Sequence, residues 1–440
     1  MSSPTNKKIF SLIAAAAALA GLAGAGIAST HTANAEPQQY KAPLFGFGSD
    51  TTQDVMNALG GFVNGKTYTP LVTSEATGYK QIVNFDATIP GGDASARECI
   101  ATKLGSPLIL RPNGSTEGQK VLSRQTGGVW YSGLSSTQAL TDAGCNSSRN
   151  VAGLVDFARS SSTPKNAVGT QLTFLPFGKD ALTFAYSKPK TFDGDGGTYH
   201  NAIESLTKAE LTSLYTNGVL VKSDTVIIPC GIQTGSGTYS IWNTKISMNS
   251  GNETTGTTFC NGIGNAARLQ ESFGPDLKAK ADAIISVSNA ICDGVAGGLA
   301  VLCDDVQLVV GFAASGWVSK SNGLSSPAPG TGVSLGKADG LTFVNFDNTQ
   351  PAGSKWSPAS EGFSSSTWNR NVFNVVLTAN LDNSTGDAAI IEMFKGSTSL
   401  ICGSAAQAIV NAFGFLSLGS DPTTGCGNTT TQGGTVANNG

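Results

Sequence analysis

The chain has 440 residues, a formal net charge of −3, 13% charged residues and 55 glycines. It is about half as charged as an ordinary soluble domain and richer in glycine. This composition excludes a polybasic nucleic-acid binder, a highly charged disordered chain and a coiled coil. Hydrophobic residues at 40% supply a real core, so one large or two medium domains are expected.

The first 35 residues read as a cleavable signal peptide. Lys7 and Lys8 form a positive start, residues 9–28 are an uncharged Ala/Leu-rich run, and Ala33-Asn34-Ala35 is an A-x-A cleavage site before Glu36 and Pro37. The run is broken by Gly21, Gly24 and Gly26, which favours cleavage over a membrane anchor, and it contains no Cys for lipid attachment. No later stretch reaches the ~20 apolar residues that span a bilayer. The mature protein is expected to be secreted or extracytoplasmic. All eight Cys follow the cleavage site and none forms a C-x-x-C pair, so disulfides are favoured over metal. Pairing of sequence neighbours, Cys99–Cys145, Cys230–Cys260, Cys292–Cys303 and Cys402–Cys426, would close four local loops.

Strands and helices then alternate. A strand is expected over 43–48 and a helix over 51–59. A strand over 106–110 runs into a Gly-rich turn, and another covers 154–158 before a Ser run. Two strands are expected over 170–177 and 182–186. Thr207-Lys208-Ala209-Glu210 is a capping box that opens a helix with Leu211, Leu214 and Tyr215 on one face. A strand over 225–229 leads to Gly235-Ser236-Gly237-Thr238 and a helix through Ile241 and Trp242. A strand over 371–377 and a helix over 404–413 complete the α/β pattern. Residues 320–367 are rich in Gly, Ser and Pro and read as a surface insertion. The end of the chain, 427–440, reads as a flexible tail. The five Trp read as packing residues.

With His31 in the leader, His200 is the one His of the mature chain. It lies in a polar Gly-rich stretch that reads as a surface loop, and a His-based zinc site is excluded by count. No G-x-S-x-G or H-E-x-x-H pattern is present. Asp193-Gly194-Asp195-Gly196 has no Glu at EF-hand spacing and reads as a turn. No cofactor or metal is expected, and the chain is not expected to be an enzyme.

Four small-residue loops at strand ends remain. They are Ser49-Asp50-Thr51-Thr52, Arg111 to Ser115 with Gly114, Arg159-Ser160-Ser161, and Ser236-Gly237-Thr238. Each combines hydroxyls with free backbone N–H groups, and two open helices, whose N-termini stabilise anions. Arg111 and Arg159 could add bidentate donors. Singly, each loop is an ordinary cap or turn; together they point to an oxyanion pocket.

The order of these motifs resembles the phosphate-binding proteins of phosphate ABC transporters, with the periplasmic-binding-protein-like type II fold. The carrying segments are GFGSDTTQDVMNAL (46–59), DFARSSS (156–162), LPFGKDALTFAYS (175–187), LTKAELTSLYTNG (206–218) and TGSGTYSIW (234–242). The resemblance covers most of 40–315 and, more loosely, 370–426. It implies two α/β lobes joined by two crossover strands: lobe one over 40–184 plus 371–426, lobe two over 185–370. A phosphate or similar oxyanion would lie between them. Ser236, Gly237 and Thr238 match phosphate contacts, as do Gly114 and Ser115, and Ser160 and Ser161. Two positions depart from the pattern. Ile232 stands where the family has Arg, and Ser161 stands where it has an Asp that accepts the ligand's proton. Arg159 or Arg111 is expected to replace the cation, and Asp50 or Asp156 the acceptor, with Asp50 preferred.

The expected function is secreted capture of inorganic phosphate for an ABC permease by a monomer that does not bind nucleic acid. A surface or structural protein that keeps the scaffold without transport is the alternative. A secreted phosphatase using a loop hydroxyl ranks third.

Overall fold

The strand segments carry apolar residues on both faces, the pattern of a sheet covered on both sides. The computed structural model describes residues 43–88, 99–102, 105–125, 129–130, 149–188, 202–223, 225–248, 260, 268–292 and 306–437. The expected leader, His200, the turn at Asp193, Cys145 and Cys303 lie outside the described residues.

In chain order the elements are β1 (Leu44–Gly48), α1 (Gln53–Leu59), β2 (Ile82–Asn84), α2 (Ser115–Leu122), β3 (Phe157–Ser160), β4 (Leu172–Ser187), α3 (Lys208–Asn217), β5 (Leu220–Lys222), β6 (Thr225–Cys230), α4 (Gly237–Lys245), α5 (Gly274–Cys292), β7 (Val306–Ala313), α6 (Ala314–Ser321), β8 (Val333–Leu335), β9 (Asn369–Leu377), α7 (Ala388–Phe394), α8 (Ser404–Ala412) and β10 (Thr431–Gly433). Among the described residues these strands form one mixed ten-stranded sheet, ordered β5-β6-β7-β4-β9-β3-β1-β2, with β8 and β10 also paired to β4.

β4 ties the molecule together. Its first part pairs antiparallel with β9, from Leu172↔Leu377 to Ala181↔Asn369. Its second part pairs antiparallel with β7, from Leu182↔Ala313 to Tyr186↔Val309. One 16-residue strand thus belongs to both halves of the sheet, and the architecture is α/β with two lobes and β4 and β9 as crossovers. The sequence predicts two strands here, split at Gly178-Lys179-Asp180. The split is absent because the ladder absorbs the interruption as a register shift between Pro176 and Gly178, and bulges of this kind bend a strand without ending it.

Packing follows the period-2 alternation of strand side chains. Leu175, Phe177 and Phe157 face one lobe-one core with Leu59, Phe394 and Phe413. Phe174 and Phe373 face the other, with Phe47, Phe85 and Leu122. In lobe two, Leu182 and Phe184 join Leu214, Tyr215, Trp242 and Trp368, whereas Ala185 joins Leu308, Phe312 and Trp317 on the opposite face. At roughly 1.5–3 kcal/mol per fully buried large apolar side chain, these four clusters dominate the favourable side of folding. The capping box forms as read: Thr207 Oγ1 accepts from the Glu210 N–H, and the Glu210 carboxylate accepts from the Thr207 N–H.

Two other segments differ from expectation. Within 320–367, Phe343 and Phe363 are fully buried in a lobe-two core, so this stretch completes that core. Glycine and serine enrichment conceals it, because a few widely spaced aromatics supply the burial. In the expected tail, β10 pairs antiparallel with β4 over Leu172↔Gly433 to Phe174↔Thr431, and Val436 beyond it is buried. Of the four disulfides expected, Cys230–Cys260 and Cys402–Cys426 are formed. Closing a loop of 24 residues is worth ~3 kcal/mol in the chain-entropy account. The other two expected pairs include Cys145 and Cys303, outside the described residues.

Candidate functional site

The four loops meet where the lobes face each other. From lobe one come Thr51, after β1; Ser115, at the start of α2; and Ser161, after β3. From lobe two come Ser236, Gly237 and Thr238 at the start of α4. Thr51 Oγ1 lies 3.2 Å from Thr238 Oγ1. Ser115 Oγ lies 3.3 Å from Ser161 Oγ and accepts the Ser161 N–H at 3.0 Å. The lobes touch through backbone as well: the Thr116 N–H donates to Gly235 O at 3.2 Å.

Glycine makes this closeness possible. A Cβ on Gly237 would lie 2.4 Å from Ser115 Oγ and 2.5 Å from Ser161 Oγ, and one on Gly114 would lie 2.2 Å from Gly235 O. Gly114 also has φ of +91°, a conformation that side chains strongly disfavour.

The donors converge on Glu271. Its Oε1 accepts the Thr51 N–H at 2.8 Å and also the Thr51 hydroxyl, and its Oε2 accepts the Ser236 hydroxyl. Glu271 is 2% exposed. Its place follows from local pairing: Ile232 and Leu269 form a parallel bridge, the Gln233 N–H donates to Leu269 O at 3.0 Å, and the Glu271 N–H donates to Gln233 Oε1 at 2.8 Å. The segment 269–271 is thereby strapped alongside the loop that carries Ser236.

A cation hydrogen-bonded into the cluster is Arg370, at the start of β9, while Lys320 lines the pocket beside Asp50 and Thr51. Arg370 reaches both lobe-one loops. Its Nη2 donates to Thr51 Oγ1 at 3.2 Å and its Nη1 to Ser161 O at 3.1 Å. Asp180 orients it, accepting from Nε at 3.0 Å and Nη2 at 2.8 Å. Asp180 and Arg370 are register partners on β4 and β9, so the ion pair is a cross-strand pair at the point where both lobes join.

The arginines expected to supply this charge lie elsewhere. Arg159 is fully buried at the end of the lobe-one sheet, where it donates to Ser49 O, Gly46 O, Asn84 Oδ1 and Phe85 O. Arg111 Nη1 donates to Asp86 O at 3.0 Å. Arg159 ties backbone carbonyls together, because polar main chain at buried strand ends needs partners, and Arg111 serves the Asp86 carbonyl in the same way. Ile232, at the position of the family's Arg, is buried in a lobe-two core. Ser160 turns away from the other loops, donating to Ser162 O and accepting from Gln119 Nε2. Ser49 and Thr52 are buried, and their hydroxyls have no partner among the described residues. Asp156 accepts the Phe45 N–H at 2.8 Å and so serves the sheet.

Asp50 is at the rim of the cluster, its carboxylate accepting from Gln270 Nε2. Burial, and then the Glu271 charge, push its pKa from an ordinary 3.8 up to about 7. Asp54, one turn along α1, is also raised by burial. A carboxyl whose folded pKa is raised keeps a proton that the unfolded chain gives up. Stability conferred by this proton is complete below about pH 4 and declines as pH climbs toward about 7. Each pKa unit is worth about 1.4 kcal/mol. Asp50→Asn is therefore expected to gain roughly 2–4 kcal/mol over the parent at pH 8 and nothing near pH 4. Urea unfolding across that range checks this, and parallel pH profiles for parent and variant would count against it.

No motif in the sequence singles out Glu271, Arg370 or Asp180. Arg370 left a faint trace: it is one of few cations in the chain and directly precedes the second predicted crossover strand. Glu271 left none, since it lies 220 residues from Thr51.

No protein-family model matches the chain, and no curated protein matches it. Among solved structures, it is similar to a Clostridium perfringens protein provisionally assigned as a phosphate ABC transporter substrate-binding protein, with bound phosphate, at 12% identity and TM-score 0.40 over 85% of this chain and 99% of that one. An ABC-type phosphate transport receptor from Vibrio cholerae is similar at 10% identity and TM-score 0.39, over 85% and 99%. PstS from Borrelia burgdorferi is similar at 11% identity and TM-score 0.35, over 86% and 98%. The chain is thus similar to phosphate ABC transporter substrate-binding proteins.

Proposed function

We propose that this chain is an exported binding protein that takes inorganic phosphate between its two lobes and presents it to an ABC permease. One observation carries the reading. Donors from lobe one (the Thr51 N–H and hydroxyl) and from lobe two (the Ser236 hydroxyl) meet on the two oxygens of a single anionic group. Such a donor set replaces an oxyanion's hydration shell, and it forms only when the lobes come together. Arg370 adds positive charge beside Thr51, and Thr238, Ser115 and Ser161 surround it with further hydroxyls that can each donate or accept. Asp50, with its pKa near neutrality, fits a partner that carries a titratable proton. Phosphate has one at this pH and sulfate has none, which favours phosphate.

Among the described residues no helix is long and apolar enough to cross a membrane, and the sequence-predicted leader is what supports export. Isothermal titration with phosphate and sulfate tests the reading. Heat with phosphate, weaker or absent with sulfate, is expected. No heat with either anion at millimolar concentration, from the parent or from variants of the residues that line the pocket, would overturn it and favour a surface protein that keeps the scaffold alone.

The Ser236 hydroxyl against Glu271 also resembles a nucleophile beside a base, which gives a second reading, a phosphatase. Ser236 Oγ also accepts the Tyr239 N–H at 3.1 Å as the cap of α4, which draws electron density away from attack. Turnover of p-nitrophenyl phosphate that is lost in Ser236→Ala would establish that reading.

A further inference from the structure

We propose that Glu271 is a tethered competitor for the oxyanion. Its carboxylate occupies the donors that a free anion needs, and the anion enters as this carboxylate leaves. The proposal rests on the oxyanion reading of the pocket and specifies how that pocket is regulated.

Three observations carry it. First, Glu271 uses both carboxylate oxygens, one toward each lobe's donors: Oε1 to Thr51 and Oε2 to Ser236. Two oxygens of a phosphate need the same amide and hydroxyls, so carboxylate and ligand compete directly. Second, Glu271 is held for this task by its backbone. The hydrogen bond from its N–H to Gln233 Oε1 and the bridge between Ile232 and Leu269 fix the segment to the Ser236 loop. The side chain travels with lobe two and meets Thr51 when the lobes close. Held on so short a tether, it has an effective concentration in the millimolar range or above. Third, charge argues against joint occupancy. Asp180 already offsets Arg370, and Asp50 is close enough for Glu271 to raise its pKa. A dianion placed beside Glu271 would face like charge in a buried site, where screening is weak.

Two consequences follow. Apparent affinity for phosphate is lower than the donor set alone would give, because each binding event breaks the internal contact. The Thr51–Glu271 bonds also latch the lobes together on their own.

The test compares the parent with Glu271→Gln and Glu271→Ala, each shown to be folded by circular dichroism and thermal unfolding. Inorganic phosphate binding is measured by titration calorimetry, and the radius of gyration by small-angle X-ray scattering with and without phosphate. Glu271→Gln keeps the side-chain shape and removes the charge, and is expected to bind phosphate about 10-fold more tightly than the parent, or better. Glu271→Ala is expected to be wider than the parent without phosphate and to contract when phosphate is added. If Glu271→Gln binds phosphate equally or more weakly while the parent binds it well, the competitor role is overturned and the oxyanion reading stands; Glu271 would then act as an acceptor on the ligand's side. If the parent and both variants give no heat with phosphate or sulfate, the oxyanion reading itself falls, and the competitor with it.

Discussion

Arg370→Met is expected to abolish measurable phosphate binding and to cost about 3–5 kcal/mol of stability, the usual penalty for stranding one member of a buried ion pair. The side chains of Arg370 and Asp180 are 4% and 0% exposed. Removing the guanidinium leaves Asp180 without its charge partner, although its Oδ1 still accepts the Ser315 N–H at 3.1 Å. Thr51 Oγ1 and Ser161 O lose a donor in the same step. A second change separates the two effects. Asp180→Asn keeps an oxygen for Ser315 and removes the orphaned charge, so the double variant should recover most of the lost stability, since exchanging a whole buried pair for neutral groups is often nearly neutral. It should not recover binding, because no cation is restored beside Thr51. Urea midpoints report the first effect and titration calorimetry the second. A single variant that binds phosphate like the parent would remove Arg370 from the site.

This arrangement also marks where the sequence stops being informative. Lobe cores, the crossover strands and the positions of the hydroxyl loops are legible, because they depend on local periodicity and on residue types such as Gly-Ser-Gly-Thr before a helix. Arg111 and Arg159 have the right chemistry and the right loops for an oxyanion, but a guanidinium at a strand end serves the backbone equally well: Arg159 donates to four acceptors where β1 and β3 end. Arg370 and Asp180 reach the site through the register of β4 against β9, which no local pattern encodes. Glu271 reaches it through a two-residue bridge that follows only once the chain is folded. Electrostatics at the site thus depend on long-range pairing, whereas its hydroxyls depend on loop composition, and only the second can be read along the chain.

A methyl group placed between the lobes should disable the pocket without damaging either lobe. Gly235 lies on the lobe-two side of the contact, and a Cβ there would sit 2.4 Å from Asn113 O. Its φ lies outside the left-handed region, so alanine brings no backbone strain of its own. Backbone atoms face the new methyl, and they cannot rotate aside as a side chain would. Relief therefore comes from parting the lobes by about 1 Å, the gap between that approach and ordinary van der Waals contact. Such a separation weakens the Thr116–Gly235 bond and takes Ser236 out of reach of an anion seated on Thr51. Losing two charge-assisted hydrogen bonds, at about 1.5 kcal/mol each, predicts roughly a 100-fold fall in phosphate affinity for Gly235→Ala. Its unfolding midpoint should stay close to the parent's, since both lobe cores are untouched. Gly114→Ala brings the same wedge, at 2.2 Å from Gly235 O, together with φ of +91°. It should lose comparable affinity and, in addition, about 1–3 kcal/mol of stability from the strained backbone. Calorimetry and urea unfolding on the two variants therefore separate a wedge from a strain. If Gly235→Ala lost stability as Gly114→Ala does, the lobes would be acting as a single rigid body, and binding by closure would be untenable.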